Sequence, residues 1–180
     1  NRTFFTEYHS IFDVKDDSNQ FVLVNTRRIG AVTDGNVRAP AELEYAGKFV
    51  SVGNSLDTGL LYASEKDLGI ANGKSFLVAR GKAHLEKGYV GTLLTLTDRP
   101  EIARKAYTAV VDINLWSEDW LVDGVLIGSR LDEQRRTDGL GFYVDGEYAI
   151  NRNTNFSAQL MWFDDKLEID DVGFLERNNI

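Results

Sequence analysis

Along most of this chain, hydrophobic and polar residues alternate with a period of two. Between positions 140 and 150, Leu140, Phe142, Val144, Tyr148 and Ile150 fall on one parity, and Gly141, Tyr143, Asp145, Glu147 and Ala149 fall on the other. After a tight polar turn at Asn151-Arg152-Asn153 the pattern resumes, with Phe156, Ala158, Leu160 and Trp162 opposite Asn155, Ser157 and Gln159. Side chains of a strand point alternately to its two faces, so this stretch predicts a hairpin with one apolar and one polar face.

The rest of the chain repeats that unit. Phe21 to Gly30 is β-branched and reads as a strand ending in two arginines, followed by a loop with a turn signal at Asp34-Gly35. Pro40 opens the next strand, where a missing N–H is tolerated. Ala41–Val52 sets Leu43, Tyr45 and Phe49 opposite Glu42, Glu44 and Lys48. Gly53-Asn54-Ser55 turns into Leu56–Glu65, and the longer polar connection Lys66–Gly73 leads to Lys74–Leu85. There Leu77, Ala79, Ala83 and Leu85 oppose Arg80, Lys82 and His84. Glu86-Lys87-Gly88 turns into Tyr89–Thr97, whose parity stays open, and Asp98–Arg104 reads as a loop with at most one helical turn at Glu101–Lys105. Lys105–Trp116 sets Tyr107, Ala109, Val111, Ile113 and Leu115 opposite Asp112 and Asn114. Ser117-Glu118-Asp119 turns into Trp120–Arg130, and Leu131–Asp138 is again a longer charged loop.

Short connections thus alternate with long ones, and turns this short cannot join parallel strands. The expected fold is all-β: an antiparallel up-and-down meander of about nine strands, with residues 1–20 leading into a barrel region over 21–180. Two architectures share the pattern. A soluble barrel or sandwich turns the apolar parity inward, whereas an outer-membrane-type β-barrel turns it outward to lipid. Strand length, short turns opposite longer charged loops, and aromatics near strand ends (Trp116, Trp120, Tyr89, Trp162, Phe163) favour the membrane form. On that reading Glu42, Glu44, Lys48, Arg80, Lys82, Asp112, Asp145 and Glu147 face the lumen. The same row of mixed charges would suit a soluble exterior.

Composition narrows the field. A net charge of -8 argues against nucleic acid, whose phosphates need a basic face. With no cysteine, disulfides and thiolate metal sites are excluded. No apolar run approaches the roughly 18 residues of a membrane helix. The chain does not begin with Met, so Asn1 reads as a processed end or the interior of a longer polypeptide.

Three motifs in order carry a resemblance. Arg2, Phe4, Phe5 and Glu7 match an Arg-x-Phe-Phe-x-Glu segment, and Thr26, Arg27, Arg28, Ile29 and Gly30 match a Ser/Thr-Arg-Arg-Ile-Gly strand. Asp170, Asp171, Val172, Gly173, Phe174 and Arg177 match an Asn/Asp-Asp-Leu/Val-Gly-Phe/Tyr-x-x-Arg segment. The chain resembles an uncharacterised family of bacterial envelope proteins that join an N-terminal carbohydrate-binding-like (family 9-like) β-sandwich to a C-terminal outer-membrane-type β-barrel. Thr3 stands where that family has proline. The resemblance covers the first part of the barrel region, with the sandwich expected before Asn1 and further strands after Ile180. It implies a Gram-negative outer-membrane location, membrane lipid as a partner, and binding or passage of saccharides. It supplies no catalytic residue and no cofactor.

The residues offer little independent chemistry. His9 and His84 lack ligand-like spacing, and a polar-face role is the plainer account of His84. Asp164, Asp165, Glu168, Asp170 and Asp171 read as a solvated acidic loop, since their spacing is not that of an EF-hand. Asp145 and Glu147 share a face but carry no glycosidase geometry. Arg27 and Arg28 should alternate faces, with one in a structural ion pair. The expectation is a non-enzymatic protein without metal or cofactor; the alternative is a soluble β-barrel or sandwich that binds a small ligand or protein.

Overall fold

The computed structural model describes residues 4, 5, 7, 9–14, 21–34, 40–69 and 71–175. Its body is one antiparallel sheet of eight strands: β2 (Leu43–Ser51), β3 (Leu56–Glu65), β4 (Ser75–Leu85), β5 (Gly88–Arg99), β6 (Arg104–Trp116), β7 (Trp120–Asp132), β8 (Arg136–Asn151) and β9 (Thr154–Phe163). Each strand pairs with the next in sequence, so the meander is as expected, and the sheet is open with β2 and β9 at its edges. A separate ladder joins β1 (Phe21–Val22) to β10 (Phe174–Leu175). The short turns gather at one end, where backbone bonds tie neighbouring hairpins together. The His84 N–H donates to Ser55 O at 2.9 Å and the Ala149 N–H to Asp119 O at 2.7 Å.

Several boundaries differ from the sequence expectation. Phe21 to Gly30 is not one strand. After the two residues of β1 the chain makes a 3-10 turn at Thr26–Arg28, where the Asn25 side chain accepts from the Arg27 N–H at 3.2 Å. The large sheet therefore begins at Leu43. The loops at the other end are shorter than expected, because β7 runs to Asp132 and β8 starts at Arg136. Hydropathy stops marking these strands while their backbone ladder continues. Charges pair across it instead, as in Asp98 opposite Lys105 and Lys105 opposite Asp132. The possible helical turn near Glu101 is a 3-10 turn, Pro100–Ile102, closed by Ala103 in the left-handed region. Leu43 leaves the parity of Tyr45 and Phe49 because the β2–β3 register shifts between Leu43 and Tyr45, and it packs against the core.

Among the described residues that core lies on one face of the sheet. Phe5, Ile11, Phe12, Val14, Phe21, Leu23 and Val24 from the N-terminal segment, with Leu167, Ile169 and Val172 from the C-terminal one, pack on Leu61, Val78, Leu93, Val110, Ile127 and Tyr143. Phe21 sits edge-on to Tyr143 at 5.9 Å and to Phe163 at 5.8 Å. Close approach needs a missing side chain at Gly59, where a Cβ would stand 2.8 Å from the Phe12 ring. Burying each such large side chain is worth about 1.5–3 kcal/mol.

Candidate functional site

Strand alternation gives this sheet two unlike faces, and among the described residues the apolar parity is the one left uncovered. Tyr45, Phe49, Leu60, Leu94, Val111, Leu126, Val144, Phe156, Leu160 and Trp162 all lie on it, and each is between 41% and 63% exposed. The strand register sets Trp120, Tyr148 and Phe156 side by side at the short-turn end. Near the other end it aligns Tyr62, Leu77, Leu96 and Tyr107. Beyond them Asp98, Lys105, Asp132 and Arg136 form a charged row across β5 to β8. Between its aromatic ends, the row of Trp120 and the row where Tyr107 pairs with Arg130, the band measures roughly 34 Å along β7 at about 3.4 Å per residue.

The opposite parity is apolar at its centre and ionic at both ends. Towards the short turns, Arg80 Nη1 donates to Asp112 Oδ1 at 2.5 Å and Nη2 to Oδ2 at 2.7 Å, while Nε donates to Ile11 O at 3.1 Å. Both side chains are almost fully buried. The pair lies flat on Gly91, where a Cβ would fall 2.5 Å from Asp112 Oδ1. His84 Nε2 meets Asp57 Oδ2 at 2.8 Å. Lys48 donates to Phe4 O and Glu7 O and stands over the Phe4 ring. Lys82 stands over Tyr89, 4.5 Å from the ring centroid.

The remaining lumen candidates are dispersed. Asp145 and Glu147 lie on the same parity as Arg80, Asp145 half-buried opposite Asp123 and Gln159, and Glu147 exposed. Glu42 precedes β2 and sits 3.9 Å from Lys66, and Glu44 is exposed at the register shift. Between the two groups, Asp13, Tyr89, Asp112, Asn114, Asp123 and Tyr143 line a polar recess of about 320 Å³. The Asn114 amide donates to Asp123 at 2.5 Å and the Gln159 amide to the Tyr143 hydroxyl at 3.0 Å. Among the described residues no group of three or more His, Asp or Glu is placed to hold a metal ion.

The long-loop end holds a second ionic cluster that sequence spacing does not reveal. Arg99 donates to Asp34 through Nε at 2.8 Å and Nη2 at 2.7 Å, and through Nη1 to Asp171 at 2.7 Å. Arg104 donates to the same Asp171 at 2.7 Å and approaches Glu168 at 3.7 Å. The Arg99 guanidinium holds the Asp34 carboxyl below its usual range, outweighing the burial that would raise it. Arg28 reaches Asp170 at 3.8 Å, the Gly30 N–H donates to Glu65 at 2.9 Å, and the Gly173 N–H donates to Ile169 O at 2.8 Å. The acidic run is therefore solvated only in part: Asp165 is exposed, whereas Asp171 is buried and clamps the C-terminal segment to β5 and β6. Arg27 and Arg28 lie in a 3-10 turn, so strand alternation does not apply to them.

The quoted motifs thus converge on the covered face, with Phe4, Phe5 and Glu7 near Lys48, and Arg28, Gly30, Asp171 and Gly173 at the clamp. Arg2, Thr3 and Arg177 lie outside the described residues. The one signal for the clamp in the sequence is that Arg99 and Arg104 flank the Pro100 turn; nothing local names partners some seventy residues away. Compared with known proteins, the chain matches no family model, no curated protein and no solved structure.

Proposed function

We propose that this chain forms part of the wall of an outer-membrane-type β-barrel in a bacterial envelope, with its uncovered apolar parity against lipid and its covered parity turned to a filled interior. The observation that carries this reading is the band itself. The same strands bury the parity that holds Arg80, Asp112, Asp57 and Glu65 and leave bare the one that holds Phe49, Leu94, Leu160 and Trp162. In a soluble barrel or sandwich the apolar parity would be the core, and contiguous bare patches of this extent are rare on monomers in water. The band's dimensions agree with a bilayer. Tilting strands by about 35–45° brings roughly 34 Å of strand close to the ~25 Å apolar height of such barrels, with aromatic rows at its limits.

The sheet is a wall segment, because its edges β2 and β9 do not pair with each other. Eight strands enclose space for little more than their own side chains. Here the covered face also takes Phe12, Phe21, Leu23 and Ile169, so closure needs further strands. The wall reading is non-enzymatic. The expectation of saccharide passage draws no support from a covered face packed with aromatic and aliphatic side chains. The test is reconstitution into phospholipid vesicles followed by an alkaline carbonate wash. A protein that stays with the vesicles and leaves only in detergent supports the wall, and quantitative release into the wash overturns it.

A further inference from the structure

Within the uncovered band the surface is not uniform. Leu77 and Ala79 of β4, Leu94 and Leu96 of β5, Tyr107 and Ala109 of β6, and Gly128 of β7 surround an apolar depression of about 750 Å³. Its floor is a register row of small residues, Ala109 opposite Gly128, between the larger Leu94 and Leu140. Gly128 has no packing reason to lack a side chain. A Cβ there would meet nothing nearer than Ala109 O at 3.9 Å, and its φ is not positive. Glycine inside a strand weakens it, and one recurrent reason to keep it is close approach of a ligand. At the long-loop end the depression opens onto Arg130, Asp132 and Asp138, with Arg130 Nε donating to Asp138 Oδ1 at 2.8 Å and Arg136 sharing that carboxylate at 3.0 Å.

We infer that this depression is a lipid site that seats one acyl chain of a zwitterionic phospholipid, its headgroup at the charged row. The inference rests on the wall reading and goes beyond it by assigning a retained lipid to one place on the wall. An apolar trough with a charged mouth at one end has the polarity of a single lipid. The mouth mixes signs: Arg130, Arg136 and Lys105 stand among Asp98, Asp132 and Asp138. A headgroup with both a phosphate and an ammonium complements both, whereas an anionic headgroup leaves the carboxylates opposed.

The experiment titrates the full chain, delipidated in maltoside detergent, with phosphatidylethanolamine spin-labelled near the end of one acyl chain. The expected result is a saturable, motionally restricted signal of about one lipid per chain, with phosphatidylglycerol binding at least 5-fold more weakly. Gly128→Leu projects a side chain into the trough from a Cβ position with no atom nearer than 3.9 Å, and should reduce the restricted signal at least 5-fold while the variant stays with carbonate-washed vesicles like the parent. Undiminished binding in Gly128→Leu, non-saturable binding, or equal binding of phosphatidylglycerol overturns the site while leaving the wall intact. Release of both proteins into the carbonate wash overturns the wall reading itself. A second variant, Ala109→Phe, guards against misfolding of the first and should show the same loss.

Discussion

The two faces of this sheet are made by the same strands, yet they obey opposite rules. On the covered face, burial follows position: Arg80 and Asp112 are buried as deeply as Val110 and Ile127, because the terminal segments lie over all of them. On the uncovered face, hydropathy is high and burial is low, and neighbours in sequence such as Leu93 and Leu94 are 0% and 56% exposed. The comparison teaches that an apolar parity marks which solvent a face is made for only once its cover is known. Bare apolar surface is costly in water and favourable in hydrocarbon, so the arrangement makes sense where the solvent is lipid.

The sharpest way to break the comparison is to unbalance a charge on the covered face. Asp112→Ala leaves the Arg80 guanidinium buried and unpaired, and should lower stability by about 3–5 kcal/mol in denaturant titrations in detergent. The double replacement Arg80→Met with Asp112→Leu removes both charges and should recover most of that loss. Next comes the adjacent pair. Leu93→Ala on the covered face should cost about 2–5 kcal/mol as a core truncation. Leu94→Ala, one residue away on the bare face, should cost less than about 1 kcal/mol in the same assay. Equal costs for the two leucines would contradict the assignment of faces.

A gentler probe is pH. Because Arg99 keeps the Asp34 carboxyl below its ordinary value of 3.8, the folded state gains stability above that value. The gain is lost as pH falls through the lowered folded value. Below about pH 4, residues 21–34 should therefore become more accessible to an acid-active protease, and Asp34→Asn should remove that pH dependence while raising accessibility at neutral pH. The smallest effect is expected at Glu147, which is exposed on β8. Glu147→Ala should change stability by no more than about 0.5 kcal/mol.

Much of the fold was legible because strand alternation is a local signal. The β8–β9 hairpin, the parity of β4 and β6 and the short turns all follow from residues within a few positions of each other. Strand β5 resisted because threonine suits either face: Thr92 lies with Leu94 on the bare side, while Thr95 and Thr97 lie with Leu93 on the covered one. Leu43 was misplaced because a register shift leaves no mark in hydropathy. The clamp was hidden for a different reason. Asp171 meets Arg99 and Arg104 only after the whole meander has been laid down, and local periodicity carries no information on contacts at such separation. What covers a face is a long-range property, so the two parities were readable while their roles were not.

One labelling experiment tests the central claim directly. The chain has no cysteine, so single cysteines at adjacent positions of β8 report one on each face. Val144 is 41% exposed in the middle of the bare band, and Asp145 lies on the covered parity beside the polar recess. In native membranes or reconstituted vesicles, Val144→Cys should react with a lipid-partitioning thiol probe and resist a water-soluble one. Asp145→Cys should react at least in part with a small aqueous reagent and not with the lipid probe. Failure of the folded Val144→Cys protein to take the lipid probe, or ready aqueous labelling at 144, would contradict a lipid-facing band and return the chain to the soluble β folds.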